Sequence, residues 1–175
     1  MGIPRRRIIV AASIGVLLLA FVVTGLYRLQ GQADALELVM SGNPTTEQLI
    51  KFLGSGNPTL LDNTLTILEQ RKATGGRESA ARLLKSDNLY VWFCASLYLG
   101  AIGDERSIPY LIRGLSHPAR NDRTRVVSYL KNMTGNDFGE NKEEWVRWWV
   151  AQHGKSFDFA CSTNIPLATE ERFHW

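Results

Sequence analysis

Residues 91–115 read V-W-F-C-A-S-L-Y-L-G-A-I-G-D-E-R-S-I-P-Y-L-I-R-G-L. Up to Ala101 the stretch is almost continuously apolar and carries no charge. A helix that is apolar all round belongs in the middle of a packed assembly, with neighbours on every side. Gly103-Asp104 then interrupts the pattern. Ile108, Leu111, Ile112 and Leu115 follow at spacings of three and four, the mark of a helix with one buried face. Pro109 falls in the first turn of that second helix, where its missing N–H costs nothing. The stretch is therefore a helix, a tight turn and a second helix.

The same layout recurs on both sides. Upstream, Pro58–Thr74 carries Leu61, Leu65 and Leu68 on one face, and Arg77–Lys85 carries Ala80, Ala81 and Leu84. Downstream, Arg123–Met133 carries Val126, Val127 and Leu130, and Lys142–His153 carries Trp145, Val146, Trp148 and Trp149. The turns fall at Thr74-Gly75-Gly76, Gly103-Asp104 and Thr134-Gly135. Measured from Gly75, Gly103 and Gly135, they are 28 (103 − 75) and 32 (135 − 103) residues apart. Two-helix units at such a period cannot hide their apolar faces alone and stack into a solenoid. The pentapeptide Ser-Gly-Asn-Pro-Thr occurs at 41–45 and again at 55–59. Each copy reads as a helix start, with Asn as cap and Pro at the first helical position. No alternating pattern calls for a strand.

The middle unit resembles a bacterial HEAT repeat of the PBS-lyase type. Leu99, Gly100, Ile102, Gly103, Asp104, Ile108, Pro109, Leu111, Ile112 and Leu115 match that pattern. Trp92 departs from it where Arg is frequent, and Tyr98 where a small residue is usual. Residues 130–149 resemble the closing repeat of such proteins, so the likeness covers about 58–154. It implies an all-α solenoid that works by binding other proteins. It also leaves open a bilin-lyase-like activity, since some lyases share the repeat.

The N-terminal segment differs in kind. Ile8–Tyr27 is a run of 20 residues (8 through 27) without a charge, directly after Arg5, Arg6 and Arg7. A helix of that length matches the hydrocarbon core of a bilayer. The flanking arginines predict a cytoplasmic N-terminus, with everything beyond Tyr27 on the far side. A cleaved signal peptide competes, with Ala33-Asp34-Ala35 as its site. The run is longer than an ordinary signal core, which favours an anchor. Those three arginines also account for the net charge: 20 basic minus 17 acidic residues is +3, and without them the balance is zero. The basic pI thus belongs to the flank and does not point to nucleic acid.

The expected organisation is a basic flank and transmembrane helix over 1–30, linker helices over 31–57, a HEAT-like domain over 58–154 and an extended arm over 155–175. No catalytic, metal-binding or cofactor-binding motif is present; His117, His153 and His174 lie far apart. Cys94 reads as a small buried hydrophobe, and its pairing with Cys161 is not determined by sequence. The candidate interaction residues are aromatic: Trp145, Trp148 and Trp149 at i, i+3 and i+4, and Phe157, Phe159, Phe173 and Trp175 in the arm. The tryptophans read either as a seal on the open end of the solenoid or as a patch for a partner or lipid. The functional expectation is a non-catalytic scaffold or accessory subunit. It would be held in the inner membrane, with its solenoid docked on the periplasmic face of a photosynthetic or respiratory complex. A bilin-lyase-like enzyme and a periplasmic sensor or assembly factor are the alternatives.

Overall fold

A computed structural model of the chain describes the backbone of residues 5–153 and the side chains of residues 19–153. The described residues are helical with no strand: α1 (Arg5–Ser41), α2 (Thr46–Phe52), α3 (Pro58–Gln70), α4 (Arg77–Leu83), α5 (Leu89–Ala101), α6 (Ile108–Gly114), α7 (Arg120–Thr134) and α8 (Lys142–His153). Single turns of 3-10 helix, Thr74–Gly76 and Glu105–Ser107, lead into α4 and α6. The chain divides into two compact units, one ending at Asn43 and the other starting at Pro44.

In the first unit, α1 is unbroken for 37 residues, a rise of about 55 Å. Leu19, Phe21, Val22, Val23, Leu26, Tyr27 and Leu29 are exposed along it. The hydroxyl of Thr24 donates back to the carbonyls of Ala20 and Phe21, so it makes no demand on its surroundings. Among the described residues no helix is long and apolar enough to cross a membrane. The expected span, Ile8–Tyr27, lies within α1, but the side chains of its first half fall outside the described residues. The transmembrane expectation therefore has no support from the structure.

In the second unit, α3, α5 and α7 are the first helices of successive repeat units, and α4, α6 and α8 the second. α5 packs against α3, α4, α6 and α7. That position explains its composition: every residue from Val91 to Gly100 is buried. The seam between the layers holds Phe93, Leu97, Ile108, Leu111, Ile112, Val126, Leu130 and Trp145. Beyond these units, α2 packs on α3 and on the Thr74–Gly76 turn, with Leu49 and Leu53 buried. It supplies a second-type helix ahead of the first full unit rather than a free linker.

Local chemistry sets the boundaries. Asn57 and Asn88 cap α3 and α5, each accepting two backbone N–H groups through Oδ1. A serine two residues earlier accepts each cap's own N–H: Ser55 for Asn57 and Ser86 for Asn88. The first copy of the pentapeptide behaves differently. Thr45, not Asn43, caps α2, because Gln48 stands three residues on and closes a reciprocal capping box. The second copy has Asp62 at the equivalent place, Asn57 keeps the cap, and Pro58 opens the helix as expected.

The three turns use glycine in two ways. Gly103 and Gly135 have φ of 72° and 75°, a conformation that disfavours other residues. Gly76 instead has an ordinary φ of −84° and is needed for space. A Cβ there would lie 2.9 Å from Leu53 Cδ1 and 3.0 Å from the Tyr98 hydroxyl. This accounts for Tyr98, the bulky departure from the repeat pattern. Its ring is fully buried and its hydroxyl donates to the Ala73 carbonyl at 2.6 Å, filling the room that Gly76 leaves. Trp92, the other departure, lies under the Arg113 guanidinium, 4.5 Å from its ring centroid.

Candidate interaction furrow

The outward edges of the three first helices carry polar residues at helical spacing. On α3 these are Asp62, Thr66 and Glu69; on α5, Tyr90 and Cys94, followed by Leu97; on α7, Asp122, Arg125 and Tyr129. Residues three and four apart share a helix face, so each set forms one edge. The fold brings the three edges together. Arg125 Nη2 donates to both carboxylate oxygens of Glu69, at 2.6 and 2.7 Å, and Nη1 donates to Asp122 at 3.1 Å. The Tyr129 hydroxyl donates to Glu69 as well. Glu69 and Arg125 are 56 residues apart and belong to the first and third units. They can meet only if α3 and α7 converge above α5, making α5 the floor of a furrow.

Gly100 permits this approach. A Cβ at that position would sit 3.2 Å from Tyr129 Cβ and 3.0 Å from Leu111 Cδ1. The Glu69–Arg125–Tyr129 bridge divides the furrow into two chambers. The larger, about 590 Å³, lies toward the turns and is lined by Glu69, Lys72, Gly100, Glu105, Tyr129 and Met133, among others. The smaller, about 210 Å³, lies toward the start of α5, where Asp62, Tyr90, Cys94, His117, Asp122 and Arg125 face one another.

Burial and neighbouring groups shift the protonation equilibria of several side chains in the furrow. Burial, reinforced by Asp62, pushes the Cys94 thiol and the Tyr90 phenol well up. The Cys94 thiol donates to Asp62 Oδ1 at 3.0 Å. Burial, with Glu69 beside it, raises Tyr129 to about 12. Burial disfavours the Arg125 cation, but its hydrogen bonds and charge interaction with Glu69 outweigh that and leave it raised. His117 is buried and stacked on Phe93 with centroids 4.5 Å apart. Burial lowers its pKa, with Asp122 opposing, and its Nδ1 accepts the Ala119 N–H. The result is a hydrogen-bonded polar surface. Among the described residues no group of His, Cys, Asp and Glu could hold a metal ion.

The aromatic candidates are distributed differently from this furrow. Trp145 is fully buried in the seam, its Nε1–H donating to the Gly139 carbonyl at 2.9 Å and its ring edge-on to Phe138 and Trp148. It closes the last unit and cannot meet a partner. Trp148 and Trp149 are half-buried beside it, and Trp149 stacks on His153. Phe157, Phe159, Phe173 and Trp175, and the arm they belong to, lie outside the described residues. So do the side chains of Arg5, Arg6 and Arg7, and Cys161; Cys94 is a free thiol. The furrow residues went unnoticed in the sequence although their spacing on three successive first helices was visible. Of these residues only Cys94 stands out when its helix is read alone, as a small buried hydrophobe.

Residues 46–131 match the family model of HEAT repeats. Over those residues the chain is a HEAT-like repeat array. The match begins at the first residue of α2 and runs into α7, so it takes in the leading half-unit, the first two full units and the three helices of the furrow. No curated protein matches the chain. HEAT repeats generally mediate contacts between proteins, and the furrow is where this repeat array has a shaped polar surface to offer.

Proposed function

We propose that this HEAT-like repeat protein is a membrane-tethered, non-catalytic scaffold. Its N-terminal helix would sit in the bilayer, and its repeat domain would dock on the extracytoplasmic face of an integral membrane complex. The observation that carries the reading is the pairing of two features in one chain. One is a repeat array whose first helices form a furrow without reactive groups. The other is the 20-residue uncharged run behind Arg5-Arg6-Arg7. The apolar residues exposed on α1 have no partner in water that would favour their exposure, whereas lipid would cover them. A solenoid tied to a membrane surface by one helix is suited to holding a subunit or assembly factor in place, with a respiratory or photosynthetic complex as the natural host.

The test combines topology with retention. Protease added outside sealed spheroplasts should remove the repeat domain while a cytoplasmic marker stays intact. The full-length chain, extracted in a neutral detergent, should then co-purify with integral membrane proteins in fixed stoichiometry. A repeat domain fully protected from external protease, or a chain that leaves the membrane in high salt without detergent, would overturn the reading.

A further inference from the structure

Apart from the arginine flank the chain is electrically neutral, but its charges are not evenly spread. The walls of the two chambers carry four carboxylates, Asp62, Glu69, Glu105 and Asp122, against two cations, Lys72 and Arg125. Arg125 is already engaged by Glu69 and Asp122. Asp62 accepts hydrogen bonds from the neutral groups of Cys94 and Tyr90 and enters none of the ion pairs among the described residues. His117 Nδ1 accepts the Ala119 N–H, and burial disfavours its charged form. The second helices themselves have the opposite balance: Arg77, Arg82, Arg113, Lys142 and Arg147 against Glu78, Glu143 and Glu144. Charges of one sign lining a cleft reinforce one another, because the walls focus the field into the opening.

The shape of the furrow is equally selective. Its floor, α5, is 13 residues long, about 20 Å. That length matches about six residues of extended chain. Gly100 and Gly103 leave the floor bare at the turn end. At the other end the half-buried Tyr90 presents a ring surface on which a guanidinium can lie. From shape and charge together we infer that the furrow docks an extended, positively charged segment of a partner protein, with an arginine or lysine side chain entering the smaller chamber between Asp62 and Asp122. This rests on the scaffold reading and names the surface it uses and the chemistry of the segment it accepts. Nucleic acid and acidic segments are repelled by the same carboxylates.

The experiment uses the full-length chain in a neutral detergent and fluorescence anisotropy with two labelled probes. One is a peptide of alternating glycine and arginine long enough to span α5; the other has glutamate in place of arginine. The arginine probe should bind and the glutamate probe should not. The Asp62→Asn/Asp122→Asn variant should bind the arginine probe at least about tenfold more weakly. Glu143→Gln/Glu144→Gln, on α8, removes the same charge elsewhere and should leave binding unchanged. Circular dichroism checks that each variant is folded. If loss of the Asp122 ion pairs unfolds the double variant, Asp62→Asn alone carries the test, with a smaller loss expected in the same direction. No binding of the arginine probe would overturn the inference. So would an equal loss in the α8 variant, which would mean diffuse surface attraction. The scaffold reading is judged apart from this: a wild-type chain that co-purifies with its complex while furrow variants bind the probe normally refutes the furrow and leaves the scaffold standing.

Discussion

Between the two helix layers, Leu97, Leu111, Ile112, Val126 and Leu130 meet as close-packed hydrocarbon. On the outer edges of the same first helices, Glu69, Asp122, Arg125 and Tyr129 meet as a hydrogen-bonded network. The two regions are held by different forces. The seam joins each unit to the next through nearest-neighbour burial, the ordinary source of solenoid stability. The bridge skips a unit: α3 reaches α7 over α5. Burial is insensitive to direction, so the seam makes the units stack without fixing how sharply the stack bends. A guanidinium nitrogen that donates to both oxygens of one carboxylate makes a directional contact, and it holds the first-helix face closed into a furrow. The seam specifies a solenoid, and the bridge specifies this solenoid's binding surface.

The largest effect should come from breaking the seam. Leu111 is fully buried, with its Cδ1 packed close to Gly100. Leu111→Ala should cost about 2–5 kcal/mol, a large share of a usual domain stability of about 5–15 kcal/mol. Chemical denaturation of the full-length chain followed by circular dichroism measures it. An unchanged midpoint would show that Leu111 lies outside the core.

A smaller effect belongs to the turns that join the layers. Asp104 caps the Glu105–Ser107 turn through the Arg106 N–H and takes two more bonds from the Arg106 side chain. Those bonds hold its carboxyl below the usual range, against burial, which raises it. A carboxylate with a depressed folded pKa contributes stability that is complete above its unfolded pKa, about 3.9, and is lost as pH falls through the folded value. The melting temperature should therefore drop on acidification below about pH 4, and Asp104→Asn should make that drop shallower. Glu78 and Asp137 are depressed as well, by Arg106 and Lys131, so some slope should remain. A variant whose acid slope equals that of the wild type would remove Asp104 from the account.

The seam was legible in the sequence and the bridge was not. Apolar spacing on α3, α5 and α6 is a local signal, readable within one helix, and α8 falls on the expected bounds, Lys142–His153. Trp145 is prominent in the sequence, but what turns it inward lies outside its helix: Phe138 and the Gly139 carbonyl in the preceding loop, and α6, on which α8 packs. The first Ser-Gly-Asn-Pro-Thr misled because the winning cap, Thr45, depends on Gln48 beyond the repeated words. Glu69 is the clearest case. It sits next to Leu68 on a helix with a good apolar stripe, and nothing within that helix says that it is buried. Its partner is two units away, and only the packing of α3 and α7 on α5 connects them.

The claim that α3 and α7 are tied over α5 is tested most directly by a double-mutant cycle on Glu69→Gln and Arg125→Met in the full-length chain. Both replacements keep the bulk of the side chain while removing its charge. Residues in contact couple by about 0.5–3 kcal/mol, and independent ones add within about 0.3–0.5 kcal/mol. Arg125 keeps part of its surface in water, so the coupling should fall in the lower half of that range, about 0.5–1.5 kcal/mol. A favourable coupling of that size, with helical signal unchanged in all four proteins, is the result the account predicts. Strict additivity would mean that the two side chains do not meet, that the furrow has no bridge, and that the first-helix face is open.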